Sequence, residues 1–309
     1  WVATACVIAL GACGRSGQPG SGASANAHFV GRAACAECHE KREKEWAGSH
    51  HDLAMQEATV TTVLGDFRDT TFTYHEVTST FFKRDGKYWA KTDGPDGKLH
   101  EYPIAYTYGV YPLQQYLIKY EDGRIQALNV CWDTRPKEDG GQRWFHLYPN
   151  ENVDFRDILH WTGPYQNWNH MCAECHSTDV RKGYDAGGNT FNTVWSEIDV
   201  SCETCHGPGS AHVKWAKSGG KGAEANMGLV VRLREQPAAE WKFDLTTGVA
   251  KRDVPRTDHS EIETCARCHA RRGTFSEAYT PGKPLAQTHR LALLEPGLYE
   301  PDGQIKDEV

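Results

Sequence analysis

Four copies of one short motif constrain this chain more than any other feature of its sequence. Each copy has two cysteines separated by two residues and a histidine directly after the second cysteine, at residues 35–39, 172–176, 202–206 and 265–269. The chain has 15 histidines in 309 residues, so a histidine after all four cysteine pairs is not chance. The motif gives one shared chemical role to eight of the eleven cysteines.

The C-x-x-C-H spacing predicts covalent attachment of c-type haem. Two thiols at this spacing can add to the two vinyl groups of one haem while the adjacent imidazole binds the iron. Structural zinc is the alternative, but zinc-binding cysteine pairs need no histidine there, and their partner pair usually lies a short loop away. We expect four haem c groups per chain, attached to Cys35, Cys38, Cys172, Cys175, Cys202, Cys205, Cys265 and Cys268, with proximal iron ligands His39, His176, His206 and His269.

Each haem iron has a sixth coordination position that the motifs do not fill. The chain has eleven further histidines but three methionines, so methionine cannot serve all four irons. Bis-histidine ligation, with low reduction potentials, is therefore expected. A lone histidine is more often a surface or hydrogen-bonding residue than a ligand, and this is the default interpretation of His28, His50, His75, His100 and His259.

The N-terminal residues predict export. Residues 1–12 form an apolar run of the length of a signal-peptide core, too short to cross a bilayer. Cys13 then ends a Leu-Gly-Ala-Cys segment that resembles a bacterial lipobox, and a Gly/Ser-rich tether extends to residue 27. The alternative is an ordinary signal peptide cleaved near Ala27. We expect a periplasmic or outer-membrane or cell-surface protein, with membrane contact only through a lipid on Cys13.

The sequence pattern divides the chain into four regions. These are the signal, lipobox and tether at 1–27, a first haem segment at 28–55, a β-rich insertion at 56–150, and a haem segment with three motifs at 151–309. The chain has no initiator methionine, which predicts that it is truncated at its start.

The insertion alternates strand-like runs with turn residues. Residues 78–83 and 87–92 flank one Asp-Gly turn, and residues 115–120 and 124–132 flank another. Our interpretation is a small sheet that packs its own aromatic core and shields a haem edge, with a ligand pocket as the less favoured alternative. Cys131, in the last run, is interpreted as a buried free thiol without a function.

Short helices are predicted to carry the motifs. Residues 34–47 predict a helix that ends at Gly48, and Gly163-Pro164 opens another that runs to the second motif. A capping-box pattern at 260–263 predicts a third helix, which carries the fourth motif and stops at Gly273. The predicted class is α+β, a loop-rich multihaem fold with short haem-bearing helices and a β-rich insertion between the first and second motifs.

The charge balance argues against one class of partner. The formal net charge is -7, and haem propionates would make it more negative, so nucleic acid is not expected to bind. The expected partners are redox proteins that donate and accept electrons.

Two segments carry a family resemblance. The stretch "CAECHEKREKEWAGSHHDLAM" resembles the C-x-x-C-H and W-x-x-S-x-H pattern of cytochrome c-554-like multihaem cytochromes, and "SCETCHGPGSAHV" is similar to their C-x-x-C-H-G-P-G-x-x-H pattern. The family prototype accepts electrons from hydroxylamine oxidoreductase. Four further segments, "YGVYPLQQYL", "GGQRWFHLYP", "LHWTGPYQNWN" and "LYEPDGQIKDEV", are similar to bacterial multihaem cytochromes that often carry tetratricopeptide repeats after the haem region. The resemblance implies that this chain is a fragment truncated at its C-terminus.

The resemblance also implies distal iron ligands. His51 matches the histidine of the W-x-x-S-x-H pattern, with adjacent His50 as its rival, and His212 matches the last histidine of the second pattern. Weaker candidates from similar segments are His160 and His289, followed by His170 and His146. His212 follows His206 by six residues across a Gly-Pro-Gly break, a linker poorly suited to pass around its own haem, so we expect it to bind a neighbouring iron.

Electron transfer is the expected function. Only 25 residues separate His176 from Cys202, so closely held haems would form a path along which electrons hop. The alternative is a multihaem redox enzyme that acts on a small nitrogen or sulfur compound at one five-coordinate haem. Ammonia-forming nitrite reductases commonly mark such a haem with C-x-x-C-K, a motif that this chain does not contain. An electron carrier is therefore favoured.

Overall fold

The computed structural model describes residues 26–221, 225–233, 239–292, 297–300 and 306. Within these ranges, no helix combines the length and the apolar character needed to cross a membrane. The lipobox prediction at Cys13 and the remaining cysteine, Cys6, lie outside the described residues.

The first helix, α1 (Arg32–Trp46), carries the first motif. Its surface is charged, with ion pairs such as Lys44–Glu40 between side chains one turn apart. His39 departs from helical geometry, with φ -117 and ψ 38, so the helix is kinked where the motif ends. The helix predicted over 34–47 is confirmed, and Gly48 reverses the chain after it with a φ of 77°.

Two antiparallel sheets lie between the first and second motifs. Their strands are β1 (Met55–Glu57), β2 (Thr70–Tyr74), β3 (Val77–Arg84), β4 (Lys87–Asp93), β5 (Leu99–Pro103), β6 (Tyr106–Tyr108), β7 (Leu113–Lys119), β8 (Ile125–Ala127), β9 (Val130–Asp133) and β10 (Arg143–His146). One sheet has the order β1-β6-β7-β9-β10, with β8 also paired to β7, and the other has the order β2-β3-β4-β5.

The sheets enclose an aromatic core. Phe67 meets the rings of Phe81, Tyr88, Tyr116 and Trp144 edge-on, with centroids 5.7, 5.0, 5.1 and 5.4 Å away. Edge-to-face pairs match the positive ring edge to the negative face, and burying each such side chain stabilises the fold by about 1.5–3 kcal/mol. The prediction that the insertion packs its own core is confirmed.

The insertion also contains a small cavity with both polar and apolar side chains in its lining. Its volume is about 30 Å³, and its lining includes Asp93, Asn129, His146 and His160. A cavity of this volume holds about two water molecules. Its size gives no support to a pocket for a larger ligand.

The predicted hairpin of β3 and β4 is confirmed, but the run predicted over 124–132 divides into β8 and β9. Between them, Leu128 donates its backbone N–H to the Tyr116 carbonyl at 3.0 Å, and the Asn129 side chain donates to the Leu159 carbonyl at 3.0 Å. This break lets both strands pair with β7. Cys131 in β9 is a free thiol with 0% of its surface exposed, as predicted.

Short elements dominate the chain after the sheets. They are α2 (Trp168–Met171), α3 (Ala173–His176), β11 (Tyr184–Asp185), β12 (Thr190–Phe191), α4 (Cys202–His206), α5 (Ser210–Lys217), β13 (Trp241–Asp244), β14 (Val249–Arg252), α6 (Ser260–His269), β15 (Arg272–Thr274) and β16 (His289–Leu291). The pairs β11–β12, β13–β14 and β15–β16 are two-stranded. The mixed α+β class with short helices is therefore confirmed.

Two helix predictions in this half need correction. Gly163-Pro164 opens a 3-10 turn rather than a continuous helix, and α2 starts separately, with Asn167 as its N-cap. The capping box at 260–263 is wrong. His259 is the N-cap of α6, the Ser260 hydroxyl donates to Asp258, and Glu263 accepts the backbone N–H of Leu285 instead. That helix ends at His269, before the predicted stop at Gly273.

Candidate haem centres

Each motif lies on a helix that places its two cysteines on one side. The motifs at 35–39, 172–176, 202–206 and 265–269 fall on α1, α3, α4 and α6, with Cys172 directly before α3. Residues three apart on a helix share a face, so both sulfurs of a motif point the same way. This is the arrangement that attachment of one haem by two thioethers requires.

The first and third motifs lie against each other. The thiols of Cys35 and Cys202 are hydrogen-bonded, which raises the pKa of Cys35 and lowers that of Cys202 to about 7. Thus two motifs separated by more than a hundred residues of sequence are adjacent in space.

The second and fourth motifs form another adjacent pair. A hydrogen bond between their thiols lowers the pKa of Cys175 and raises that of Cys268. Glu174 lies between the cysteines of the second motif, and Arg267 lies between those of the fourth. Their side chains form an ion pair of 3.1 Å. Arg272 adds a second contact to Glu174, at 3.0 Å. Because these side chains are largely buried, the pair is little screened by solvent.

The third and fourth motifs are also neighbours. Burial raises the pKa of Cys205, and the thiol of Cys265 raises it further. The third motif also meets the chain just after the second, because the hydroxyl groups of Thr204 and Thr178 lie 2.8 Å apart, so the four motifs form one cluster.

Two motif histidines each face a second histidine from a distant part of the chain. The rings of His39 and His212 have centroids 6.1 Å apart and planes inclined by 16°. The rings of His269 and His51 have centroids 6.2 Å apart and planes inclined by 65°. Both second histidines are residues that the family resemblance predicts as distal ligands.

The spacing of these ring pairs fits one metal ion between them. Two metal–nitrogen bonds of about 2 Å, with about 1 Å from each nitrogen to its ring centre, separate two ligating imidazoles by about 6 Å. The measured centroid distances of 6.1 and 6.2 Å match this value. The donor set therefore fits bis-histidine haem.

Hydrogen bonds fix the orientation of three of the histidines. The Nδ1 atoms of His176, His206 and His212 lie 3.1, 3.3 and 2.9 Å from the carbonyl oxygens of Ala54, Val231 and Met227. A carbonyl oxygen only accepts, so Nδ1 carries the proton and Nε2 keeps the lone pair that binds a metal. Gly228 lets the backbone after Met227 lie close to α5, because a Cβ at this position would lie 2.8 Å from the Ala211 carbonyl oxygen and 2.9 Å from the backbone nitrogen of His212.

The loop after α1 places His51. The Trp46 indole donates to the Val200 carbonyl at 3.1 Å, and the Val200 N–H donates to the His51 carbonyl at 3.1 Å. The Ser49 hydroxyl accepts the backbone N–H of Asp52 at 3.3 Å. These contacts give the tryptophan, serine and histidine of the W-x-x-S-x-H pattern a shared structural role. Burial lowers the pKa of His51, and His269 and His50 lower it further.

The structure does not bring the two weaker candidates to a motif histidine. His160 lies beside the sheets, with Nδ1 2.8 Å from the Thr162 hydroxyl and Nε2 3.2 Å from Asp93. His289 is 1% exposed, with Nδ1 2.8 Å from the Thr288 hydroxyl and Nε2 3.1 Å from Glu174. Both ring nitrogens of each residue therefore lie within hydrogen-bond distance of a protein oxygen, and their role as distal ligands stays a prediction.

The candidates ranked behind them also have other contacts. His146 is stacked on Tyr74 at 3.5 Å in the insertion, and burial lowers its pKa to about 4. His170 packs against Tyr184 and Phe191 at 5.4 and 5.1 Å. His50, the rival of His51, faces Tyr111 at 6.4 Å.

Sequence reasoning missed several residues around the motifs. The Tyr108 ring lies 4.3 Å from that of His176, and Glu203 is a buried carboxylate inside the third motif. The sequence holds no signal for the buried Glu203, because Glu37 also stands between motif cysteines and its side chain is 62% exposed. Among the described residues, no three His, Cys, Asp and Glu side chains group into a metal-ion site.

Comparison with known proteins is most informative at the family level. The family model described as cytochrome c554 and c-prime matches residues 34–68 and 153–207. The matched segments contain the first three motifs, His51 and Cys205, and cover less than half of the chain. They support a multihaem c-type cytochrome that carries electrons.

The chain is similar to an undecaheme cytochrome from the S-layer of Carboxydothermus ferrireducens, with 17% identity and a TM-score of 0.36. The similarity covers 63% of this chain and 22% of that one, so the chain spans less than a quarter of its length. No curated protein sequence matches.

Proposed function

We propose that this chain is an exported electron carrier that holds four haem c groups, one at each C-x-x-C-H motif. The observation that carries the proposal is the pair of facing histidines at two motifs, His39 with His212 and His269 with His51, at the spacing of two ligands to one iron. When bound, haem supplies the one-electron chemistry, and the protein supplies ligands, spacing and dielectric.

In this proposal, every haem is attached covalently at its own motif. Two of the haems also receive an iron ligand from a distant part of the chain. His39 and His269 are proximal ligands, while His212 and His51 reach across from outside those motifs. His176 and His206 are the proximal ligands of the other two haems, with Nδ1 held by a backbone carbonyl. Bis-histidine ligation gives low reduction potentials.

Electrons would pass among the four haems because their motifs lie side by side. A hydrogen bond between thiols joins the first and third motifs and another joins the second and fourth, while Thr204 of the third motif lies 2.8 Å from Thr178, just after the second. Redox proteins are the proposed partners, and nucleic acid is excluded from the proposal by the net charge of -7.

The proposed location is outside the cytoplasm, with a lipid on Cys13 as the membrane anchor. The support is the apolar run at 1–12, the lipobox-like segment that follows, and the extracytoplasmic assembly of c-type haem.

One measurement on the intact protein tests haem number and anchor together. The chain is produced in a bacterial host with haem-attachment enzymes, and its mass is measured. We expect four haem additions, a lipid on Cys13, and no addition on Cys131. Reductive titration of the same sample should take up four electrons per chain at low potential. Fewer than four haems, or zinc in their place, would contradict the proposal.

A further inference from the structure

A buried carboxylate lies inside the third motif, between Cys202 and Cys205. Glu203 is 1% exposed, and its two oxygens accept backbone N–H groups from three residues outside its helix. Val30 donates to both oxygens at 3.0 Å, Gly31 to one at 2.8 Å, and Gly209 to the other at 2.7 Å. Charge-assisted hydrogen bonds of this kind stabilise a buried carboxylate that would otherwise be costly.

The three donors stand at the starts of two helices. Gly31 is the N-cap residue of α1, and Gly209 is the N-cap residue of α5. A negative charge is favoured at both ends, because the free N–H groups and the helix dipole are positive there. The absence of a side chain at Gly209 lets its backbone lie close to the Glu203 carboxylate, because a Cβ there would lie 3.2 Å from a carboxylate oxygen.

These two helices carry the facing histidines of the first haem centre. His39 lies on α1 and His212 on α5, with ring centroids 6.1 Å apart. Glu203 belongs to neither helix, yet it binds the N-terminal end of both. One side chain of the third motif thus connects the two elements whose separation sets the axial ligation of the first haem.

We propose that Glu203 is a positioning residue that sets the distance between His39 and His212, and so keeps the first haem six-coordinate. The proposal rests on the proposed function, because it requires a haem between these histidines. Only a carboxylate fits the role, since its oxygens accept from both helix ends and carry the charge that those ends favour. In Glu203→Gln, an NH2 group would face backbone N–H donors.

The test uses electron paramagnetic resonance of the oxidised holoprotein. Bis-imidazole haems with near-parallel ring planes give a rhombic low-spin signal, whereas near-perpendicular planes give a highly anisotropic low-spin signal. The 16° between His39 and His212 assigns the first type to this haem, and the 65° between His51 and His269 assigns the second type to the fourth. The two centres are therefore expected to give different low-spin signals, and each variant is read as the change from the wild-type spectrum.

We expect Glu203→Gln to retain four covalent haems but to lose about half or more of the rhombic signal, with a matching gain of high-spin signal. The highly anisotropic signal should stay unchanged. Glu203→Asp keeps the charge but is one methylene shorter, and should give an intermediate loss. Glu45→Gln is the matched control, because Glu45 lies on α1 outside the motif and pairs with Arg42 of the same helix at 2.6 Å, with 47% of its side chain exposed, and it should leave both signals unchanged.

Each other outcome overturns a stated part of the account. If Glu203→Gln keeps the rhombic signal, the positioning role is wrong. If it loses both low-spin signals together, Glu203 serves folding in general and the specific role is also wrong. If the wild-type protein has four haems but no rhombic signal, the assignment of His39 and His212 as a ligand pair fails, and the positioning role fails with it. Fewer than four haems in the wild type contradicts the proposed function itself.

Discussion

His212→Ala is expected to convert one of four haems to high spin while all four remain attached. His212 faces His39 at 6.1 Å, and its Nδ1 is held by the Met227 carbonyl, so Nε2 is the atom that would bind the iron. Alanine removes this ligand and leaves Cys35, Cys38 and His39 in place. The rhombic signal should disappear, high-spin signal should appear, and the potential of that haem should rise.

The location of the affected haem distinguishes our account from the alternative that His212 binds a haem other than that of the first motif. Our account assigns the lost ligand to the haem at the first motif, although His212 follows the third motif in sequence. Combining His212→Ala with Cys35→Ser and Cys38→Ser, which removes that haem, should abolish the new high-spin signal. Its persistence would show that His212 binds another haem. His100→Ala, at an exposed histidine paired with Asp96 in the insertion, is the control and should change nothing.

His51→Ala is the second large effect that we expect. His51 faces His269 at 6.2 Å, and the loop contacts of Trp46 and Val200 hold it there. Removing its imidazole should eliminate the highly anisotropic low-spin signal and leave the rhombic one. The ligand comes from the first haem segment and the haem is attached at the fourth motif. The variant therefore also tests whether these two segments lie next to each other in the folded protein.

The adjacent histidine provides a close control. His50 faces Tyr111 rather than a motif histidine, so His50→Ala should retain both low-spin signals. If His50→Ala removes the anisotropic signal and His51→Ala does not, our choice between the two neighbours is wrong. If neither variant removes it, the ligand lies elsewhere in the chain.

Local chemistry explains what could be predicted from sequence. The charged, Gly-terminated pattern around the first motif predicts α1, and the Asp-Gly turn between two alternating runs predicts the hairpin of β3 and β4. The covalent chemistry of the motifs is likewise local, because one turn of helix holds both cysteines and the histidine. Such features depend on neighbours a few residues away, which the sequence shows directly.

Long-range contacts explain what could not be predicted. The facing of His51 and His269 joins residues at opposite ends of the described chain, and no spacing rule relates them. Glu263 fits a capping box in sequence, but the distant backbone of Leu285 binds it instead. His160 and His289 have the residue type of a ligand, but nearby hydroxyl groups and carboxylates occupy their nitrogens. In each case tertiary packing decides between chemically equivalent partners.

The most direct test of the central claim is the electron paramagnetic resonance spectrum of the oxidised wild-type holoprotein. The claim is that distant histidines complete two haem centres, with ring planes inclined by 16° at one and 65° at the other. The account predicts two low-spin species of about equal amount, one rhombic and one highly anisotropic. A spectrum in which all four haems are high spin, or in which neither of these species occurs, would contradict it.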